Sequence, residues 1–71
     1  MIPLTIAQIR AFAKRNVGRR VEVELKSGRE IEGVIVFAGN FSLILRRRVR
    51  GVFVRVRIFY RNIAEIERDN D

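Results

Sequence analysis

Val21-Glu-Val-Glu-Leu-Lys-Ser-Gly28-Arg-Glu-Ile-Glu-Gly33-Val-Ile-Val-Phe37 is the stretch that decides the fold. Val21, Val23 and Leu25 alternate with Glu22, Glu24 and Lys26, a period of two that describes a half-buried strand. Ser27-Gly28 is a two-residue hairpin signal, and the alternation resumes with Ile31 between Glu30 and Glu32. Gly33 inside the second strand predicts a sharp bend, a bulge or a close backbone approach.

Upstream, residues 4–17 read as a helix. Thr5 and Gln8 form a capping box, in which hydroxyl and amide each satisfy a free backbone donor. Ile6, Ile9 and Ala13, flanked by Phe12 and Val17, make an apolar stripe, with Arg10, Lys14 and Arg15 off it and Gly18 placed as a C-terminal cap. Downstream, Ala38-Gly39-Asn40 is a turn and Arg46–Gly51 a basic loop. Val54, Val56 and Ile58 share one face of a fourth strand, with Arg55 and Arg57 on the other. Tyr60-Arg61-Asn62 is a short turn, and Arg68–Asp71 a frayed polar end. The expectation is one domain at 1–71, all-β in class, with a helix at about 4–17 and strands at about 19–26, 29–37, 41–46, 52–60 and 63–67. Five short, strongly bent antiparallel strands are expected to curl into a small barrel that hides most edges. SH3-like and OB-type barrels both fit, and a helix ahead of all the strands favours the first.

A chain of 71 residues supports one small core, which seldom supplies more than about 3–5 kcal/mol unaided. There is no Cys and no His, which excludes disulfides and leaves zinc without its usual ligands. Oligomerisation is then the remaining common aid. Net charge is +7, and thirteen of the fifteen basic residues are Arg, whose planar fork of donors suits phosphate. Nucleic acid is therefore the expected partner, ahead of a merely solvated basic surface. No run approaches the ~18 apolar residues of a membrane span, and the first residues lack the pattern of a signal peptide. With no cysteine, the expected location is the cytoplasm. There is no Ser with a plausible base and no glycine-rich phosphate loop, so a binding protein without cofactor is expected rather than an enzyme.

At this point the residues resemble the Sm-like family. The stretch from Val21 to Phe37, with Gly28-Arg29, Gly33 and Phe37, is similar to the first Sm motif, and Phe41-Ser-Leu-Ile-Leu45 continues it. Ile58-Phe-Tyr-Arg-Asn-Ile-Ala-Glu-Ile66 resembles the second motif, and its Tyr-Arg-Asn is similar to the Tyr-Lys-His of bacterial Hfq. The resemblance covers essentially the whole chain. It implies a bent SH3-like (Sm) barrel whose fourth strand pairs with a neighbour's fifth in a homo-hexameric or homo-heptameric ring. It further implies single-stranded, U-rich RNA as ligand and a role in RNA processing or regulation. The family's RNA-contacting positions carry over onto Asn40, Ser42, Arg61 and Asn62. Ala38 stands where the family has Asp, Ser42 where it has Asn, Asn40 where it often has an aromatic or His, and Arg61-Asn62 where it has Arg-Gly. Ser42 cannot make a bidentate base contact and Asn40 stacks poorly, so phosphate attraction is expected to take a larger share.

Arg46, Arg47, Arg48 and Arg50 are the densest charge, read as a loop where RNA or DNA backbone lands. Arg55 and Arg57 are expected to pair with Glu22, Glu24, Glu30 or Glu32 across strands. Phe37 and Phe41 are expected in the core, while Tyr60 fits either role. Two rivals share the size and charge: an SH3-like chromatin protein coating duplex DNA, which needs an exposed apolar wedge, and a structural subunit binding acidic protein.

Overall fold

A computed structural model describes residues 4–69. An N-terminal helix α1 (Ile6–Arg15) precedes five strands, β1 (Arg20–Leu25), β2 (Glu30–Ala38), β3 (Ser42–Val49), β4 (Val52–Phe59) and β5 (Ile63–Arg68). A 3-10 turn, Tyr60–Asn62, separates the last two. All pairings are antiparallel, and the sheet order is β4-β3-β2-β1-β5, with β4 and β5 as its edges.

The capping box forms as the sequence implies: Gln8 N–H donates to Thr5 Oγ1 at 3.1 Å, and Thr5 N–H to Gln8 Oε1 at 2.8 Å. Ile9 and Ala13 are buried, but Ile6 and Val17 are half exposed, so the buried stripe is narrower than the pattern suggests. The helix ends at Asn16, whose Nδ2 donates to the Phe12 carbonyl, rather than at Gly18. The first hairpin reverses over Lys26-Ser27-Gly28, three residues rather than two, closed by Leu25 N–H on the Arg29 carbonyl.

Gly33 acts by close approach. A Cβ at this position would lie 2.7 Å from the Arg46 carbonyl oxygen, so β3 can cross β2 here only over a glycine. The two halves of β2 then serve different partners: residues 30–34 pair with β1, and residues 34–38 with β3. The bulge itself lies further on, where Ile35 pairs with Leu45 but Phe37 with Ile44, leaving Val36 as the extra residue. The extra residue flips the alternation, because a slip of one moves every following side chain to the other face. Ala38 turns inward to pack on the core, and Phe37 turns outward with half its surface exposed. Phe41 precedes β3 and is 74% exposed. Both phenylalanines therefore leave the core that the sequence pattern assigned them. The core is Ile9 and Ala13 of α1 against Val21, Val23, Ile31, Ile35, Leu43, Leu45, Ile58, Tyr60, Ile63 and Ile66.

Arg46–Gly51 is not a loop. β3 continues through Arg46, Arg47 and Arg48 to Val49, which pairs with Val52. Only Arg50 and Gly51 turn, with φ of 51° and 79°, the two-residue hairpin geometry that matches strand twist. Alternation along an extended strand thus divides the arginine run between two faces. Residues 70 and 71 of the polar end lie outside the described residues, while Asp69 N–H donates to the Arg20 carbonyl and ties the chain to β1. Among the described residues, no helix is long and apolar enough to cross a membrane.

Candidate nucleic-acid interface

The register of β3 against β4 sets Ser42, Ile44, Arg46 and Arg48 opposite Phe59, Arg57, Arg55 and Phe53. Directly opposed residues share a face, so one side of this hairpin gathers four arginines and two phenylalanines with no acidic residue among them. Phe37, opposite Ile44, adds a third ring. The guanidiniums of Arg46 and Arg48 sit 5.0 and 4.6 Å from the Phe53 ring centroid. Cation–π contact of this kind contributes about 0.5–1 kcal/mol at an exposed site and holds long side chains in place. Phe53 remains 57% exposed, and Val52 on the hairpin tip 62%.

Arg47 points the other way. It opposes Val54 on the inner face, half buried, and its Nε is a buried side-chain nitrogen with no hydrogen-bond partner among the described residues. Arg50 sits at the exposed turn. Of the four arginines read as one basic loop, Arg46 and Arg48 face outward together, Arg50 caps the tip, and Arg47 leaves the set.

At the other end of the same hairpin, the Arg61 guanidinium lies 4.9 Å from the Phe59 ring centroid. Ile6, Phe41, Phe59, Tyr60 and Arg61 line an open groove of about 360 Å³. Two bonds fix its floor: Tyr60 N–H donates to the Phe41 carbonyl at 2.9 Å, and Tyr60 OH to the Gly39 carbonyl at 2.8 Å. Tyr60 is therefore a buried strut, and burial pushes its phenol above the ordinary range, opposed by nearby Arg10. Those bonds bring the segment 39–42 alongside 60–61, so Asn40, Ser42 and Arg61 are neighbours at the level of the backbone. Asn40 is engaged by the helix: Arg10 Nε donates to its carbonyl at 2.7 Å and Lys14 Nζ to its Oδ1 at 3.3 Å. Asn62 is exposed, and its carbonyl accepts from Lys26 N–H at 2.8 Å, which places it beside the first hairpin.

Arg55 and Arg57 do not pair with the glutamates. β4 pairs only with β3, so Glu22, Glu24, Glu30 and Glu32 are at least two strands away in the sheet. Those glutamates meet each other instead. Glu67–Glu22–Glu32 and Glu65–Glu24–Glu30 line up across β5, β1 and β2 on one outer face. Repulsion from Glu30 first, then desolvation and repulsion from Glu67, Glu32 and Asp69, raises the Glu22 carboxyl above its ordinary range. Arg20 is the relief at one end, reaching Glu32 at 2.6 Å and Asp69 at 3.2 Å.

Family models, curated proteins and solved structures were compared with the chain, and none matches. The chemistry of the surface is thus carried by its own residues. Arg55, Arg57 and Phe53 are the functional candidates that strand-by-strand reading passes over. One signal for them is in the sequence: from Gly33 to Ala64 there are seven arginines and no acidic residue. A face built from that segment carries no opposite charge of its own.

Proposed function

We propose that this chain is an Sm-like protein that binds single-stranded RNA and works as a homo-hexameric or homo-heptameric ring in RNA processing or regulation in the cytoplasm. The observation that carries the reading is the open outer face of β3 and β4, where Arg46 and Arg48 flank an exposed Phe53. Every base has a π-face, so an exposed ring among guanidiniums holds single strands with little sequence demand. The guanidiniums supply the phosphate attraction. The close approach of β3 over Gly33, the bulge at Val36 and the single core reached by all five strands favour a sheet curled into an SH3-like barrel. The groove beside Phe59 and Arg61 is the second contact region, and Asn40, Ser42 and Arg61 are the residues proposed to meet bases there; Asn62 stands at its margin.

One observation favours the duplex-DNA reading. Val49, Val52, Phe53 and Val54 form an exposed apolar tip of the sort that enters a minor groove. Competition between oligo-U, oligo-A, oligo-C and a duplex of equal length at one salt concentration separates the two. Single strands should win, and Arg61→Ala should lower the preference among the three oligomers while Arg46→Ser lowers all three alike. Tighter binding of the duplex would replace the RNA reading with the DNA one. A wild type with no preference among oligomers would remove the base-reading role of Asn40, Ser42 and Arg61.

A further inference from the structure

The molecule is charged like a magnet. Its sheet ends in β4 on one side, carrying Arg55 and Arg57 on the outer face, and in β5 on the other, carrying Glu65 and Glu67 on the outer face. Both pairs have a two-residue spacing, so each repeats at about 6.8 Å along its strand. Among the described residues, neither pair meets an opposite charge. Glu65 and Glu67 face Glu24 and Glu22, and Arg55 faces Arg46. Among the described residues, the ion pairs formed are those of Arg20.

Within the β4-to-β5 contact that the ring reading already supposes, we infer that charge on the two edges selects the neighbour. Arg55 and Arg57 of one copy then lie on the same outer face as Glu65 and Glu67 of the next, as an ion-pair ladder. The inference rests on the ring reading above and adds what selects the neighbour: a β4-to-β4 contact sets arginine against arginine, and a β5-to-β5 contact sets glutamate against glutamate. Like charges oppose both symmetric pairings, and only the head-to-tail contact, which propagates from copy to copy, places opposite charges together. The apolar half of the edge fits the same role. Val52 and Val54 are exposed although the strand is as apolar as a central one, which leaves them for a covering partner, while Phe53 stays with Arg46 and Arg48 on the outer face. The ladder also divides the arginines. Arg55 and Arg57 serve assembly on the edge strand, and Arg46 and Arg48, one strand in, stay open to RNA.

The test measures mass in solution for the full chain and its charge reversals at low and high salt. Wild type should be a closed oligomer that loosens as salt rises. Arg55→Glu with Arg57→Glu, and separately Glu65→Arg with Glu67→Arg, should each weaken assembly on the order of a hundredfold. The two doubles mixed together should assemble again into rings of even subunit number, in which they alternate and each meets an opposite charge at both edges. All four reversals in one chain should restore the homo-oligomer. Circular dichroism reports whether each variant is folded; should a double fail to fold, the four-fold variant still decides, since a folded monomer there overturns the ladder. A wild type that is monomeric at low salt overturns the ring itself. A wild-type oligomer whose folded doubles keep its mass overturns the ladder alone.

Discussion

The three-stranded half of the sheet, β5-β1-β2, and the β3–β4 hairpin solve different problems with the same alternation. In β1 Val21 and Val23 are fully enclosed and Leu25 is partly buried against the core. In β4 the first half is exposed on both faces, and only Ile58 is buried. The first half spends its apolar face on the core and tolerates like charges outside. The hairpin leaves apolar and cationic groups together in solvent, where they add little to the stability of one copy. On the reading proposed above, Phe53, Val52 and the four outward arginines are kept uncovered for a partner outside the chain.

The largest expected effect lies within β4. Ile58→Asp buries a charge with no partner and should unfold the chain, a loss of at least about 3 kcal/mol, seen as loss of the cooperative thermal transition. Val54→Asp, four residues earlier and already 36% exposed, should leave the far-ultraviolet spectrum intact. Equal loss of fold in both would erase the contrast between the two halves of the strand.

Within β3 the contrast is between neighbours on opposite faces. Arg48→Met removes a guanidinium from the Phe53 ring and should weaken single-strand binding several-fold with stability nearly unchanged. Arg47→Met keeps the buried stem but removes the unpartnered nitrogen, so thermal stability should hold or rise by up to about 1 kcal/mol with binding nearly unchanged. The reverse assignment of effects would mean that the faces have been exchanged.

Those two arginines also show what was legible in the sequence and what was not. Alternation, the capping box and the turn residues are local, so the helix, the five strands and their antiparallel order follow from the pattern. Gly33 was legible as a special backbone position, but which backbone approaches it depends on β3. The exposure of Phe37 was not legible, because one extra residue at Val36 reverses the face, and nothing in Val-Ile-Val-Phe marks which residue bulges. The arginine run read as a loop because Arg is polar; it is a strand because Val49 and Val52 pair across Arg50-Gly51. Partners for Arg55 and Arg57 depend on strand order, which keeps β4 away from β1. At the site, no local pattern marks the bond from Tyr60 N–H to the Phe41 carbonyl that brings segments 39–42 and 60–61 together, and the engagement of Asn40 by Arg10 and Lys14 needs the helix in place.

The smallest expected effect belongs to the acidic half. A carboxyl whose folded value is raised binds protons more readily in the fold than in the unfolded chain. Stability therefore falls as pH rises through the range just above the ordinary carboxylate value, and the repulsion is relieved as pH drops back through it. Glu22→Gln should flatten that dependence in melts across mildly acidic pH and leave stability at neutral pH equal or slightly higher. A steeper dependence in the variant would mean that Glu22 is not the strained member of the array.

The central claim is that the outer face of the hairpin receives single-stranded nucleic acid. Fluorescence anisotropy with labelled oligo-U over a salt series tests it on wild type and on Arg46→Ser with Arg48→Ser. Wild-type affinity should fall steeply with salt, with a log–log slope near −0.7 for each phosphate neutralised on a single strand. The double variant should bind more weakly and lose roughly 1.4 units of that slope, the share of two phosphates. Affinity and slope that both survive the loss of Arg46 and Arg48 would contradict the claim, as would a wild type that binds no single strand at low salt.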